Sequence, residues 1–298
     1  MEIITCTAPF EAEEILSWLE TIFGREERLL ETPQLNGEEI AYNRDIVLLA
    51  KEKGKLLGAI HGTIPHHDPH LAGLSAMFTT PEARGTGLGR KLFGKLVETL
   101  ENEGVTAMVL GTSNPIGEKL YASFGFRYLY GSGVMARFAS GSVADFNRAR
   151  FDTPRGEIHI EDGSPKMRIP IVPLTLSRLK YKVYDRNLGL VNPECKTQPS
   201  CMGLFPKYLS LQENGGRFFG AYDEAGVLGA AATVTADGCF DGFAYPAWES
   251  ALEEMFRKGN ATHMLVADDD EEKSVLAAKL GLKIAGATIR QIPSHYYR

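Results

Sequence analysis

Apolar residues recur every fourth position at Leu88, Leu92, Leu96 and Leu100, and Phe93 and Val97 widen the stripe. This period predicts an amphipathic helix over residues 88–102, ended by Gly104. A second stripe, Ile15, Leu16, Trp18, Leu19, Ile22 and Phe23, predicts a helix over 9–24, and Pro115 opens a third over 115–124. Short apolar runs at 1–7, 45–50, 56–64, 74–79 and 107–110 read as strands, with Lys51 to Lys55 as a turn between two of them. Residues 126–130 and 134–138 read as a closing hairpin. The polar stretch 25–43 has room for a further helix, and 65–70 is a loop. Helices and strands alternating in this order predict an α/β fold, a mixed sheet with helices on both faces.

Between the strand at 74–79 and the helix at 88 stands Arg84-Gly85-Thr86-Gly87-Leu88-Gly89-Arg90. Glycine admits positive φ and close approach of a ligand, and the first turn of a helix offers N–H groups without internal partners. The helix dipole favours an anion there, so the loop has the makings of a phosphate or pyrophosphate cradle. Arg84, Arg90 and Lys91 are placed to bring positive charge to it, or to form a solvated helix start. A P-loop needs Gly-Lys-Ser/Thr, and here Arg90 follows Gly89; a dinucleotide loop needs Gly-x-Gly-x-x-Gly, which this spacing does not give. On the loop alone, a plain strand-to-helix turn stays open.

Arg84-x-x-Gly87-x-Gly89, preceded by Pro81-Glu82, resembles the acyl-CoA pyrophosphate loop of the GNAT superfamily of N-acetyltransferases. A second signature of that family stands at Asn114-Pro-Ile-Gly-Glu-Lys-Leu-Tyr121-Ala-Ser-Phe-Gly125-Phe126. The resemblance covers about residues 1–138 and implies a GNAT fold and acetyl-CoA as acyl donor, with no metal. It implies that the edge of Met77, Phe78 and Thr79 bonds the pantetheine arm, with a backbone N–H near Met77 at the thioester oxygen. The loop from Arg84 through Gly85, Thr86, Gly87, Leu88 and Gly89 to Arg90 would hold the pyrophosphate, and Asn114 would contact the pantetheine amides or cap its helix. Tyr121 would be the general acid for the departing thiolate, since a phenol can donate a proton there. The alternative for Tyr121 is a half-buried aromatic with a polar partner. The general base is not identified by the sequence: His61, His66 and His67, with Glu82 beside the loop, are the titratable candidates near this edge, His61 the first of them, and a chain of waters is the alternative.

The second half reads as a worn copy of the first. Gly54-Lys-Leu-Leu-Gly58-Ala59 lines up with Glu224-Ala-Gly-Val-Leu-Gly229-Ala230, and Ser123-Phe-Gly-Phe126 with Lys279-Leu-Gly-Leu282. Residues 263–267 mirror the strand at 107–110, 169–174 read as a first strand and 175–185 as a first helix. The interval that should hold the phosphate loop is shorter in this copy, carries no Arg-x-x-Gly-x-Gly, and has Ala277 where Tyr121 would stand. The expected organisation is therefore two GNAT-like domains in tandem, the second degenerate: 1–140, a Gly-, Ser- and Pro-rich connection at 141–166, and 167–298.

With 298 residues, two domains are the natural division. A net charge of −6 argues against a nucleic-acid partner and favours cationic acceptors. No window approaches the length of a membrane span, no secretory signal is visible, and the 4 cysteines match no zinc spacing, so a cytoplasmic location without a membrane partner is expected. The functional expectation is an N-acetyltransferase acting on a primary amine of a small molecule or an amino terminus, as monomer or homodimer. A non-catalytic acyl-CoA-binding or sensing protein is the alternative, and a dinucleotide-dependent oxidoreductase is disfavoured by the glycine spacing.

Overall fold

Ile46, Leu48 and Ala50 turn to one face of their strand and Val47 and Leu49 to the other, and all five are buried. A strand covered on both faces reads as a continuous apolar run, and helices on both sides of the sheet are its cause. In the computed structural model, which describes residues 1–129, 132–194, 203–267 and 269–281, the chain divides into two units. The first comprises Met1–Arg127 with Val134–Ser140, and the second Tyr128–Gly133 with Gly141–Arg298.

The first unit runs β1 (Glu2–Thr7), α1 (Glu13–Phe23), α2 (Arg25–Leu35), β2 (Asn43–Glu52), β3 (Lys55–Pro65), β4 (Leu71–Thr79), α3 (Leu88–Asn102), β5 (Ala107–Gly111), α4 (Pro115–Ser123), β6 (Arg127–Tyr128) and β7 (Val134–Phe138). The sheet order is β1-β2-β3-β4-β5-β7-β6. β1 to β4 pair antiparallel, β4 pairs parallel with β5, and β5 antiparallel with β7. Each expected element is present. The strand at 126–130 shrinks to two residues, and Tyr130 and Gly131 of the expected hairpin lie outside the described residues.

Leu92, Leu96 and Leu100 lock α3 onto the sheet with no side-chain exposure. Each such burial contributes about 2 kcal/mol. Gly58 lets the helix come close, because a Cβ there would sit 2.7 Å from the Phe78 carbonyl oxygen and 3.2 Å from Leu92 Cδ1. The opposite face packs α1 through Ile15, Leu16 and Leu19 against Val47, Ala59 and Phe78.

The second unit runs α5 (Val143–Phe151), β8 (His159–Asp162), α6 (Ile171–Thr175), β9 (Val183–Asp185), β10 (Leu190–Val191), α7 (Phe205–Glu213), β11 (Arg217–Tyr222), β12 (Leu228–Val234), β13 (Cys239–Ala244), α8 (Ser250–Lys258), β14 (His263–Met264) and α9 (Glu271–Lys279). Three expectations change here. Residues 169–174 are not a strand: α6 occupies 171–175, because Pro170 and Pro173 lack the N–H that a ladder needs while Pro170 suits a helix start. Residues 141–166 are more than a connection, since they carry α5, with a capping box between Ser142 and Asp145, and β8, which pairs with β11. The expected helix at 175–185 is absent: α6 ends at Thr175, and β9 covers Val183–Asp185.

The resulting five-stranded sheet, β8-β11-β12-β13-β14, repeats the arrangement of β1 to β5: three antiparallel pairings, then a helix crossover to a parallel strand. The turn after the fourth strand matches as well. Thr80 has φ −64 and ψ 155 before the 3-10 turn Pro81–Ala83, and Tyr245 has φ −64 and ψ 153 before Pro246–Trp248.

Candidate active site

Between Ala59 and His61 on β3 there is one residue, and between their partners Phe78 and Ser75 on β4 there are two. The additional residue makes a β-bulge, with Ala76 held at φ 51. A non-glycine residue at positive φ costs of order 1 kcal/mol and marks a place where geometry has been set against local preference. The parallel pairing of β4 with β5 ends at Leu74–Leu110, just before the bulge. From Ser75 to Thr79, β4 keeps its partner β3 on one side and leaves its other edge beside β5 unladdered. That edge is a strand's worth of N–H and C=O groups available to an extended amide chain.

The glycine loop closes one end of this opening. Gly85 and Gly87 adopt φ 75 and 82, and a Cβ on either would meet nothing within 4 Å. Gly87 is the N-cap of α3 and the helix has no side-chain cap, so its first N–H groups face the loop. Thr86 Oγ1 donates to the Ala83 carbonyl at 2.7 Å and fixes the loop from behind. Arg84 is exposed beside it. Arg90 is turned away: it donates to Ser123 Oγ at 2.8 Å and lies 4.9 Å over the Phe124 ring, tying α3 to α4. The charge expected from Arg90 at the phosphates is therefore engaged elsewhere. Leu88 is a core residue, and its contribution to the loop is its backbone. Phe78 is buried against α1, as its alternation with half-buried Met77 and Thr79 dictates.

The opening's other wall is α4. Asn114 caps it, accepting from the Ile116 N–H at 2.9 Å. Tyr121 stands against Phe93, ring centroids 4.8 Å apart, and its hydroxyl donates to Met77 Sδ at 3.5 Å across the gap to β4. Burial pushes the phenol up to about 12, so it carries its proton throughout the neutral range.

His61 does not stand on this edge. It is 1% exposed in the middle of the sheet, with Nδ1 2.6 Å from Glu31 Oε2 and Nε2 2.9 Å from Asp45 Oδ1. Burial alone would lower its pKa, but the charge of Glu31 and the hydrogen bonds to both carboxylates outweigh it and raise the group to about 10. A protonated imidazole has no lone pair to take a proton, and this one has no route to an acceptor, so the expectation of a base at His61 does not fit its surroundings. His66 bonds the Ile40 carbonyl, and Glu82 is paired with Lys55. On α2 the residues Glu27, Glu31 and Gln34 share one face, and burial followed by the Glu31 charge lifts the Glu27 carboxyl to about 7. No local sequence signal marks this cluster, because it joins helix and strand positions thirty residues apart.

The cluster sets a pH dependence. A histidine whose folded pKa lies above its unfolded value stabilises fully below about 6.5 and loses that contribution as pH rises toward 10. Denaturant unfolding of the intact chain is expected to lose stability across this window, at most about 1.4 kcal/mol per pH unit from this group. His61→Gln, which cannot charge, should be less stable at pH 7 and lack this component of the slope. An unchanged slope would remove the ionised histidine from the account.

The second unit lacks the equivalent loop. Four residues, Arg84–Gly87, separate the 3-10 turn from α3, whereas Glu249 alone separates Pro246–Trp248 from α8. Its opening is also filled. The pairing of β13 with β14 ends at Phe240–Met264, and Lys273, at the position in α9 that Gly117 holds in α4, is buried and donates to Asp241 and the Gly242 carbonyl on β13 and to the Tyr184 carbonyl at 2.8 Å. Cys6 and Cys239 are free thiols, while Cys195 and Cys201 lie outside the described residues, as does Leu282 of the mirrored segment. Among the described residues no helix is long and apolar enough to cross a membrane, and no group of three or more His, Cys, Asp or Glu is placed to hold a metal ion.

Comparison with known proteins gives a match of residues 12–126 to the model of the acetyltransferase (GNAT) family. No match was found among curated proteins. Among solved structures, a GNAT family N-acetyltransferase from Escherichia coli in complex with CoA is 19% identical, covering 47% of this chain and 83% of its own at a TM-score of 0.36. An acetyltransferase of the GNAT family from Staphylococcus aureus Mu50 is 19% identical over 46% of this chain and 100% of its own, TM-score 0.36. An aminoglycoside 6'-acetyltransferase type Ii is 17% identical over 46% and 99%, TM-score 0.35. Residues 12–126 of this chain are a domain of the GNAT acetyltransferase family.

Proposed function

We propose that the first unit transfers an acetyl group from acetyl-CoA to a primary amine of a small molecule or an amino terminus. The observation that carries this reading is the conjunction of the glycine loop, the unladdered edge of β4 and the Tyr121 hydroxyl around one opening. Backbone N–H groups at Gly85, Gly87 and the start of α3 grip the pyrophosphate, and the Met77–Thr79 edge pairs with the pantetheine amides. A backbone N–H near Met77 stabilises the oxyanion that forms when the amine nitrogen attacks the thioester carbon. As the C–S bond breaks, the thiolate takes its proton from Tyr121, the new amide nitrogen releases one to solvent, and the Tyr121 phenolate takes a proton back from solvent, which closes the cycle. Asn114 orients the start of α4 beside the same arm.

The second unit is read as a degenerate copy whose loop is shortened and whose opening is occupied by Lys273; it supplies no donor site. The acidic balance of the chain favours a cationic acceptor. The chain is taken to act as monomer or homodimer in the cytoplasm.

Thermal unfolding with and without acetyl-CoA tests the donor assignment, with NAD as the comparison ligand. Ligand at 100 times Kd stabilises by about 2.7 kcal/mol, which raises the midpoint by several degrees in a unit of this size. A shift with NAD and none with acetyl-CoA would overturn the assignment. A shift with acetyl-CoA but no CoA release with a broad panel of amines would leave a binding protein in place of an enzyme.

A further inference from the structure

Met77 is the second of the two bulge residues on β4, half-buried at the unladdered edge. Its side chain touches the two other elements of the opening. On one side, a Cβ at Gly89 would lie 3.3 Å from Met77 Cε, so the methyl packs on the end of the glycine loop. On the other, Met77 Sδ is 3.5 Å from the Tyr121 hydroxyl, which among the described residues has this sulfur as its one hydrogen-bond acceptor. The Tyr121 ring itself is fixed by Phe93 at 4.8 Å and by Gly117, where a Cβ would stand 3.2 Å from Tyr121 Cε2. With the ring held, one freedom remains, the direction of the O–H bond, and Met77 sets it.

We propose that Met77 is a positioning residue for proton delivery: its thioether aims the Tyr121 O–H across the opening between α4 and β4, where the sulfur of the acyl donor departs. The inference rests on the reading of Tyr121 as the acid. A thioether is a weak acceptor, and a developing thiolate is a far stronger one. The proton is thus directed toward sulfur before the donor arrives and released to the stronger acceptor when the C–S bond breaks. A carbonyl or carboxylate in the place of Met77 would hold the proton too well. Leucine fills nearly the same volume and offers no acceptor, so it separates packing from aim.

The test is a cycle of Met77→Leu, Tyr121→Phe and the double variant in the full chain. The readout is release of free CoA thiol from acetyl-CoA in the presence of a primary amine, with acetyl-CoA affinity measured by calorimetry. Met77→Leu is expected to lower kcat about 5- to 10-fold with KM for acetyl-CoA changed less than 2-fold, and to have no further effect on kcat once Tyr121 is Phe. Equal kcat losses in both backgrounds, or a loss confined to KM, would show a packing role and overturn the proposal while leaving Tyr121 as the acid. If Tyr121→Phe alone leaves kcat unchanged, the acid reading fails and takes this one with it. If Met77→Leu unfolds, Met77→Ile in the same cycle carries the test, since it also lacks the sulfur; retained kcat in that variant would overturn the proposal.

Discussion

Gly87→Glu is expected to abolish measurable acetyl-CoA binding while leaving the fold intact. Gly87 caps α3 at φ 82, and a Cβ there meets nothing within 4 Å, so the new side chain clashes with no protein atom. The structural cost is the left-handed backbone, about 1–2 kcal/mol for a residue with a Cβ. The cost to binding is larger. The carboxylate would project from the loop whose N–H groups face the pyrophosphate, placing negative charge against negative charge at the positive end of a helix dipole. A loss of at least 100-fold in affinity, about 2.7 kcal/mol, is expected by calorimetry, with an unchanged far-UV circular dichroism spectrum. Gly87→Ala supplies the control, because it introduces the same backbone strain without the charge. It should cost some stability and a smaller part of the affinity. Wild-type affinity in Gly87→Glu would mean that this loop is a plain strand-to-helix turn.

The parts of the site that could be read from the sequence are those written in local pattern. Helix α3 runs from Leu88 to Asn102, as its fourfold spacing and flanking glycines predict, since both ends and the buried face are coded within twenty residues. Asn114 caps α4 and Tyr121 lies within it, as the proline at the first helical position predicts. The bulge at Ala76 was not legible. Alanine carries no preference for positive φ, and the extra residue is defined only by the register of β4 against β3. The environment of His61 was not legible either, because its partners Glu31 and Asp45 come from a helix and a strand elsewhere in the chain. In the second unit the internal mirror located β12 and β14, where glycines and apolar runs survive. It misplaced the first strand. Pro170 and Pro173 make 171–175 a helix, and the edge strand is β8, which pairs with residues about sixty positions later. The filled opening of that unit depends on one buried side chain, Lys273, whose charge a periodicity argument would place in solvent.

Tyr121→Phe is expected to lower kcat by about 100-fold or more with little change in acetyl-CoA affinity, since general acid catalysis contributes about 10²–10⁴-fold. Phenylalanine keeps the ring contact with Phe93 and removes only the hydroxyl, so the fold and the donor groove should persist. The proton affinity of the group invites an objection. Burial pushes the phenol up to about 12, and a thiolate of ordinary pKa near 8.5 is the weaker base. The same half-buried opening, however, desolvates the leaving sulfur and raises its proton affinity together with that of the phenol. The proton is therefore shared with the sulfur while charge develops on it, when transfer lowers the barrier most. The raised pKa also fixes the pH dependence. Because the acid form persists well above neutrality, Tyr121 should impose no alkaline fall in kcat below about pH 10, and the limb set by the amine's own deprotonation should rise alone. Steady-state kinetics of both proteins between pH 6 and 10, with acetyl-CoA affinity measured alongside, decide the point. A kcat within 2-fold of wild type in Tyr121→Phe would remove the acid and reduce Tyr121 to a packed aromatic. A large loss confined to KM would instead make its hydroxyl a donor-binding group, since an interaction made equally in ground and transition states leaves kcat untouched.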